Sequence, residues 1–68
     1  MIRHHVYSPL LKEKILIEAE SVQTLKRYIE ITKDLQQSCR DDSEQYRRFQ
    51  CLIDAYVEVL DMLERGEI

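Results

Sequence analysis

The chain has 68 residues and a net charge of −3, from thirteen acidic and ten basic side chains. This length allows one domain whose own core contributes only about 3 to 5 kcal/mol, so a staple or a partner is expected. The acidic balance argues against nucleic-acid binding. The sequence shows no signal-peptide pattern, so we expect a cytoplasmic protein with both cysteines reduced. It also has no apolar run of roughly 20 residues, so we expect no membrane span.

The first predicted element is a long helix over residues 9–38, preceded by a flexible tail over residues 1–8. Ser8 is suited to the N-cap and Pro9 to the first helical position, where its missing N–H has no helical partner to lose. Apolar side chains form two stripes about 80 to 100° apart around this helix. One stripe contains Leu11, Ile15, Val22, Leu25 and Ile29, and the second contains Leu10, Ile17, Tyr28, Ile31 and Leu35.

Two apolar stripes on one helix indicate two neighbours. A two-helix hairpin offers only one neighbour within the chain, and the sequence leaves open which stripe faces it. The remaining stripe would be a sizeable exposed apolar patch, which a soluble monomer seldom carries. A protein partner is therefore expected.

The second predicted helix covers residues 43–65. Asp42 as N-cap and Gln45 at the third helical position make a variant of the capping box, and Gly66 after Arg65 is typical of a helix C-terminus. A broad apolar seam follows, made of Tyr46, Phe49, Ile53, Tyr56, Leu60 and Leu63 and widened by Leu52, Val57 and Val59. A short connection makes the helices antiparallel. The predicted fold is all-α, a single antiparallel two-helix hairpin domain over residues 1–68 that is completed by a partner or a second copy.

No set of side chains predicts catalysis, a cofactor or a metal. His4, His5, Cys39 and Cys51 lack the spacings that zinc sites use. Both cysteines are interpreted as small apolar fillers. Cys39 in particular would lie at the C-terminal end of the first helix, which does not favour a thiolate. An enzyme is not expected.

The segment Asp42-Ser43-Glu44-Gln45-Tyr46 and the seam that follows it resemble the small needle-protein co-chaperones of bacterial type III secretion systems, the YscE/PscE/SsaE type. In that family an Asp-x-x-Gln-Tyr turn opens the second helix of a hairpin. Asp42, Gln45 and Tyr46 match, Ser43 stands where some members have proline, and the layout matches over about residues 15–64. The resemblance implies that this protein pairs with a helical-repeat chaperone. The pair would then keep the needle subunit monomeric before export.

Two other readings stay open. The chain could be a homodimeric four-helix bundle, a regulatory or structural protein of plasmid or phage type. A needle subunit is less favoured, because needle proteins tend to have proline in the turn and this turn has none.

The candidate partner-binding residues are Leu10, Ile17, Tyr28, Ile31, Leu35, Tyr46, Phe49, Leu52, Tyr56, Val59 and Leu63.

Overall fold

A computed structural model describes all 68 residues. It contains four elements in chain order, β1 (Ile2–Ser8), β2 (Glu13–Ala19), α1 (Val22–Ser38) and α2 (Ser43–Glu64). The two strands form an antiparallel sheet whose register pairs Ile2 with Ala19 and Ser8 with Glu13. The fold is therefore α+β, and the predicted all-α fold is wrong.

The error lies in the first 21 residues. Residues 1–8, predicted as a flexible tail, include strand β1, and residues 9–21, predicted as helix, form a turn and strand β2. Burial alternates along β2, so that Ile17 and Ala19 are buried while Leu16 and Glu18 are exposed. Apolar residues two apart fit either a strand or part of a helical stripe, and periodicity alone does not separate the two in short runs. The β-branched isoleucines favour the strand.

The capping signal at Ser8 and Pro9 is real, but it opens a single hydrogen-bonded turn and no helix follows. The Ser8 carbonyl accepts a hydrogen bond from the Lys12 N–H at 2.7 Å, and the Ser8 Oγ accepts one from the Leu11 N–H at 3.4 Å. Lys12 then adopts a φ of 56°, in the left-handed region. A residue in this conformation ends a helical turn, so the chain reverses into β2.

Helix α1 begins thirteen residues later than predicted, at Val22 rather than residue 9. Ser21 provides the N-cap, since its Oγ accepts a hydrogen bond from the Thr24 N–H at 3.2 Å. Four residues of α1 are buried, all on one side of the helix: Leu25, Ile29, Thr32 and Gln36.

Helix α2 was predicted correctly to within one residue. The Asp42 Oδ1 accepts a hydrogen bond from the Gln45 N–H at 3.2 Å, which confirms Asp42 as the N-cap. At the other end Gly66 has a φ of 74° and donates from its N–H to the Leu63 carbonyl at 3.2 Å. Glycine adopts this left-handed conformation without steric cost, so the C-terminal cap is also as predicted.

The core lies where α2 meets the sheet and α1. Its central cluster takes residues from every element: Val6, Ile17, Ala19, Leu25, Ala55 and Val59. The predicted arc of α2 is too broad for one helix–helix contact because α2 has two neighbours within the chain, α1 on one side and the sheet on the other. Neither helix has the length and apolarity to span a bilayer.

Candidate protein-binding surface

The structure separates the predicted partner-binding residues into three groups. Ile17 and Val59 are 1% and 0% exposed, so neither can contact a partner, and their assignment to a binding surface is wrong. Ile17 points inward from β2, and Val59 lies on the side of α2 that packs on the sheet. Four more belong to α2 and are half-buried, namely Phe49, Leu52, Tyr56 and Leu63. Leu10 is exposed in the hairpin turn. It does not belong to a helical stripe, because α1 begins only at Val22.

The remaining α1 residues of the second predicted stripe are on the surface. Tyr28, Ile31 and Leu35 are 37%, 48% and 47% exposed and follow one another at spacings of three and four residues. Thr24, one turn before Tyr28, is half-buried and extends the row. We refer to these four residues as the α1 face. It is a continuous strip on one side of a helix, which is how helices present residues to other helices.

The α1 face answers the question that the sequence left open. Leu25 and Ile29, from the first predicted stripe, face α2 and are buried, whereas Ile31 and Leu35 face away from it. Of the second stripe, Tyr28 has a neighbour in α2, whereas no element of the chain covers Ile31 and Leu35. These two residues are therefore apolar surface without a neighbour in the monomer.

The α1 face continues onto α2 through a tyrosine pair. The ring centroids of Tyr28 and Tyr56 are 6.0 Å apart and their planes are inclined at 45°. This geometry lies within the favourable range for aromatic pairs. Burial raises the pKa of the Tyr56 hydroxyl above its usual value, and the neighbouring Tyr28 raises that pKa further. Tyr46, at the start of α2, is also partly open to solvent, at 36%.

Charged side chains follow one flank of the α1 face. Arg27 and Asp34 lie seven residues apart, each one position before an apolar residue of the face, and both are exposed. Neither forms an ion pair, because the four salt bridges of the chain are all made by Arg3, Arg48 and Arg65. Neither residue is among the predicted partner-binding residues, although a charged position beside an apolar heptad row is typical of residues that flank a helix–helix contact.

A surface groove lies between β1 and α2. This open groove of about 340 Å³ is lined by apolar residues that include Val6 and Ala55, with Arg47, Asp54 and Glu58 among its polar residues. All buried side-chain nitrogen and oxygen atoms of the chain have hydrogen-bond partners. No buried side-chain polar atom in the groove is therefore left without a partner.

The histidines and cysteines lie apart from one another. His4 points to the helices and is opposite Ile17, while His5 points outward from the other face of the sheet. Cys39 caps α1 and Cys51 is buried in α2, and both are free thiols. The structure brings no three potential metal ligands together.

Comparison with protein-family profiles, with curated proteins and with solved structures found no match to this chain.

Proposed function

We propose that this chain is a non-catalytic, cytoplasmic interaction protein whose α1 face packs against another protein. The observation that carries the proposal is the exposure of Tyr28, Ile31 and Leu35, three large apolar side chains in one helical row. Contiguous apolar surface of this kind on a small protein is typical of a protein interface. Aromatic residues such as Tyr28 are also enriched where interfaces gain most of their affinity.

The total surface of the chain supports the same proposal. The accessible surface is 5064 Å², whereas a compact monomer of 8.2 kDa is expected to expose about 4,500 Å². The shape is elongated, with extents of 37 × 25 × 17 Å. A chain with this surplus gains stability by covering part of its surface with a partner.

The resemblance described above gives the proposal a more specific form, a co-chaperone that pairs with a helical-repeat chaperone of a type III secretion system. Its support is the turn at Asp42, Gln45 and Tyr46, where Asp42 caps α2 as the family pattern requires. Strand β2 occupies the start of the matched range, so the similarity in layout is limited to residues 22–64. Solenoid repeats end in an apolar surface that needs a cap, and the α1 face has the chemistry to provide one.

Co-expression with the products of the neighbouring reading frames tests this function. We expect one of them to co-purify with the tagged chain in a fixed ratio. Ile31→Asp should abolish its recovery, because a carboxylate in the α1 face cannot be desolvated without a large cost. Lys33→Asp is the matched control, since Lys33 is exposed on another side of the same helix, and it should leave recovery unchanged. Equal recovery with Ile31→Asp and the wild type would exclude the α1 face as the binding surface.

A further inference from the structure

We propose that the α1 face binds the α1 face of a second copy of this chain, with the two α1 helices antiparallel. This inference rests on the proposed function and deepens it by naming one occupant of the surface. It follows from the heptad positions of the apolar and charged residues on α1.

The α1 face has the spacing of a short coiled-coil seam. With Tyr28 and Leu35 at heptad position a, Thr24 and Ile31 fall at position d. The g positions then hold Arg27 and Asp34. The e positions hold Leu25 and Thr32, which are buried against the body of the same chain. Only the g flank of the seam is therefore open to a partner.

Antiparallel helices place a residues opposite d residues and bring the g flanks together. In the central register Tyr28 faces the partner's Ile31, and Leu35 faces the partner's Thr24. The same register sets Arg27 beside the partner's Asp34, and two-fold symmetry repeats this contact. In this register the α1 face is therefore complementary to the α1 face of the second copy, both in its apolar residues and in its charges.

The other arrangements lack this complementarity. A shift by one heptad places Asp34 beside the partner's Asp34, which is a like-charge contact. A parallel pair brings g residues beside e residues, but Leu25 and Thr32 at the e positions are buried and uncharged. Charge pairing therefore favours the central antiparallel register, while the apolar seam contributes most of the affinity.

The contact is small, because a helix of 17 residues is only about 26 Å long. We accordingly expect a reversible dimer that dissociates on dilution and weakens with added salt. Such a dimer can release the α1 face to a heterologous partner that binds it more tightly.

Charge reversal at the two g positions provides the test, with sedimentation equilibrium of the full chain as the measurement. R27D and D34R should each weaken self-association by about tenfold or more, because each creates two like-charge contacts. The two single variants mixed together should form a heterodimer, and the double variant R27D/D34R should dimerise like the wild type. Lys33→Asp is the control and should not change the dissociation constant. Both positions are exposed and form no salt bridge, so we expect every variant to fold. Circular dichroism of each variant checks this.

Three outcomes would overturn the inference. They are a wild type that stays monomeric at high concentration, a dimer that neither single variant weakens, and single variants that stay monomeric when mixed. Each leaves the proposed function separately testable, because loss of a heterologous partner in Ile31→Asp does not depend on the charges at Arg27 and Asp34.

Discussion

Gln36 of α1 donates a hydrogen bond from its Nε2 to the Gln50 Oε1 of α2 at 2.9 Å, and the same Nε2 lies 3.2 Å from the Tyr46 carbonyl. Gln36 is 5% exposed, so its amide group would be costly to bury without these partners. Gln50 in turn donates to the Asp54 Oδ1 at 2.9 Å. This chain of hydrogen bonds links the last turns of α1 to the first turns of α2 and fixes the side of α1 that faces inward.

Gln36→Ala should therefore lower the free energy of unfolding by about 1 kcal/mol, with a range up to about 3 kcal/mol if the cavity stays dry. Gln37→Ala is the matched control, because Gln37 is the exposed neighbour and alanine is the stronger helix former. Urea unfolding followed by circular dichroism measures both. An equal effect of the two substitutions would mean that Gln36 does not lie on the buried side of α1.

The β-hairpin is tested by two adjacent residues on opposite faces of β2. Ile17 is 1% exposed and Leu16 is 37% exposed. Ile17→Ala should cost about 2 to 5 kcal/mol, as other buried truncations do, which is enough to unfold much of so small a domain. Leu16→Ala should cost less than about 1 kcal/mol. The reverse order would mean that the sheet presents its other face to the helices.

The second half of the fold could be predicted because its signals are local. Asp42 and Gln45 mark the start of α2 through a hydrogen bond between residues three apart, and Gly66 marks its end. The first half could not, because β1 is defined by pairing with residues up to 17 positions away, as Ile2 with Ala19. Within that half, Ser8 and Pro9 carried a helix signal that Lys12 ends after one turn.

The candidate surface was predictable only in part, for the same reason. The shared exposure of Tyr28, Ile31 and Leu35 could be predicted because all three lie within α1. Ile17 was assigned to the same row only because it was counted as helical, and Val59 because the sheet that buries it was not foreseen. An apolar arc that is wider than one contact indicates a second neighbour, but it does not say whether that neighbour belongs to the same chain.

The hairpin turn offers a substitution that should stabilise the protein. Lys12 has a φ of 56°, a conformation that costs a residue with a Cβ atom roughly 1 to 2 kcal/mol. Lys12→Gly removes this cost but adds freedom to the unfolded chain, so we expect a net gain of up to about 1 kcal/mol. Lys12→Val should destabilise the fold instead. Thermal unfolding of both variants measures this, and a lower midpoint for glycine than for valine would contradict the assigned turn.

Tyr56 should make stability sensitive to alkaline pH. Burial, with Tyr28 nearby, raises the pKa of its hydroxyl above the ordinary value of 10.0, so the folded state holds the phenol proton more tightly than the unfolded state does. This stabilisation is complete below pH 10 and is lost as the pH rises through 10 and then through the higher folded-state pKa. Tyr56→Phe should reduce the loss of stability over this range.

Urea midpoints measured from neutral pH to above pH 10 test the role of Tyr56. Tyr7→Phe serves as the control, because it also removes one phenol hydroxyl, from a side chain that is 58% exposed. If Tyr56→Phe and the wild type lost stability in parallel, Tyr56 would not be the group responsible.

The claim that two copies of this chain associate through the α1 face is tested most directly by methyl NMR spectra of the full chain from micromolar to millimolar concentration. We expect the Ile31 and Leu35 methyl signals to move with concentration, while those of Leu10 and Leu11 in the hairpin turn and of the buried Leu25 stay in place. Stationary Ile31 and Leu35 signals, together with shifts confined to the hairpin turn, would contradict it.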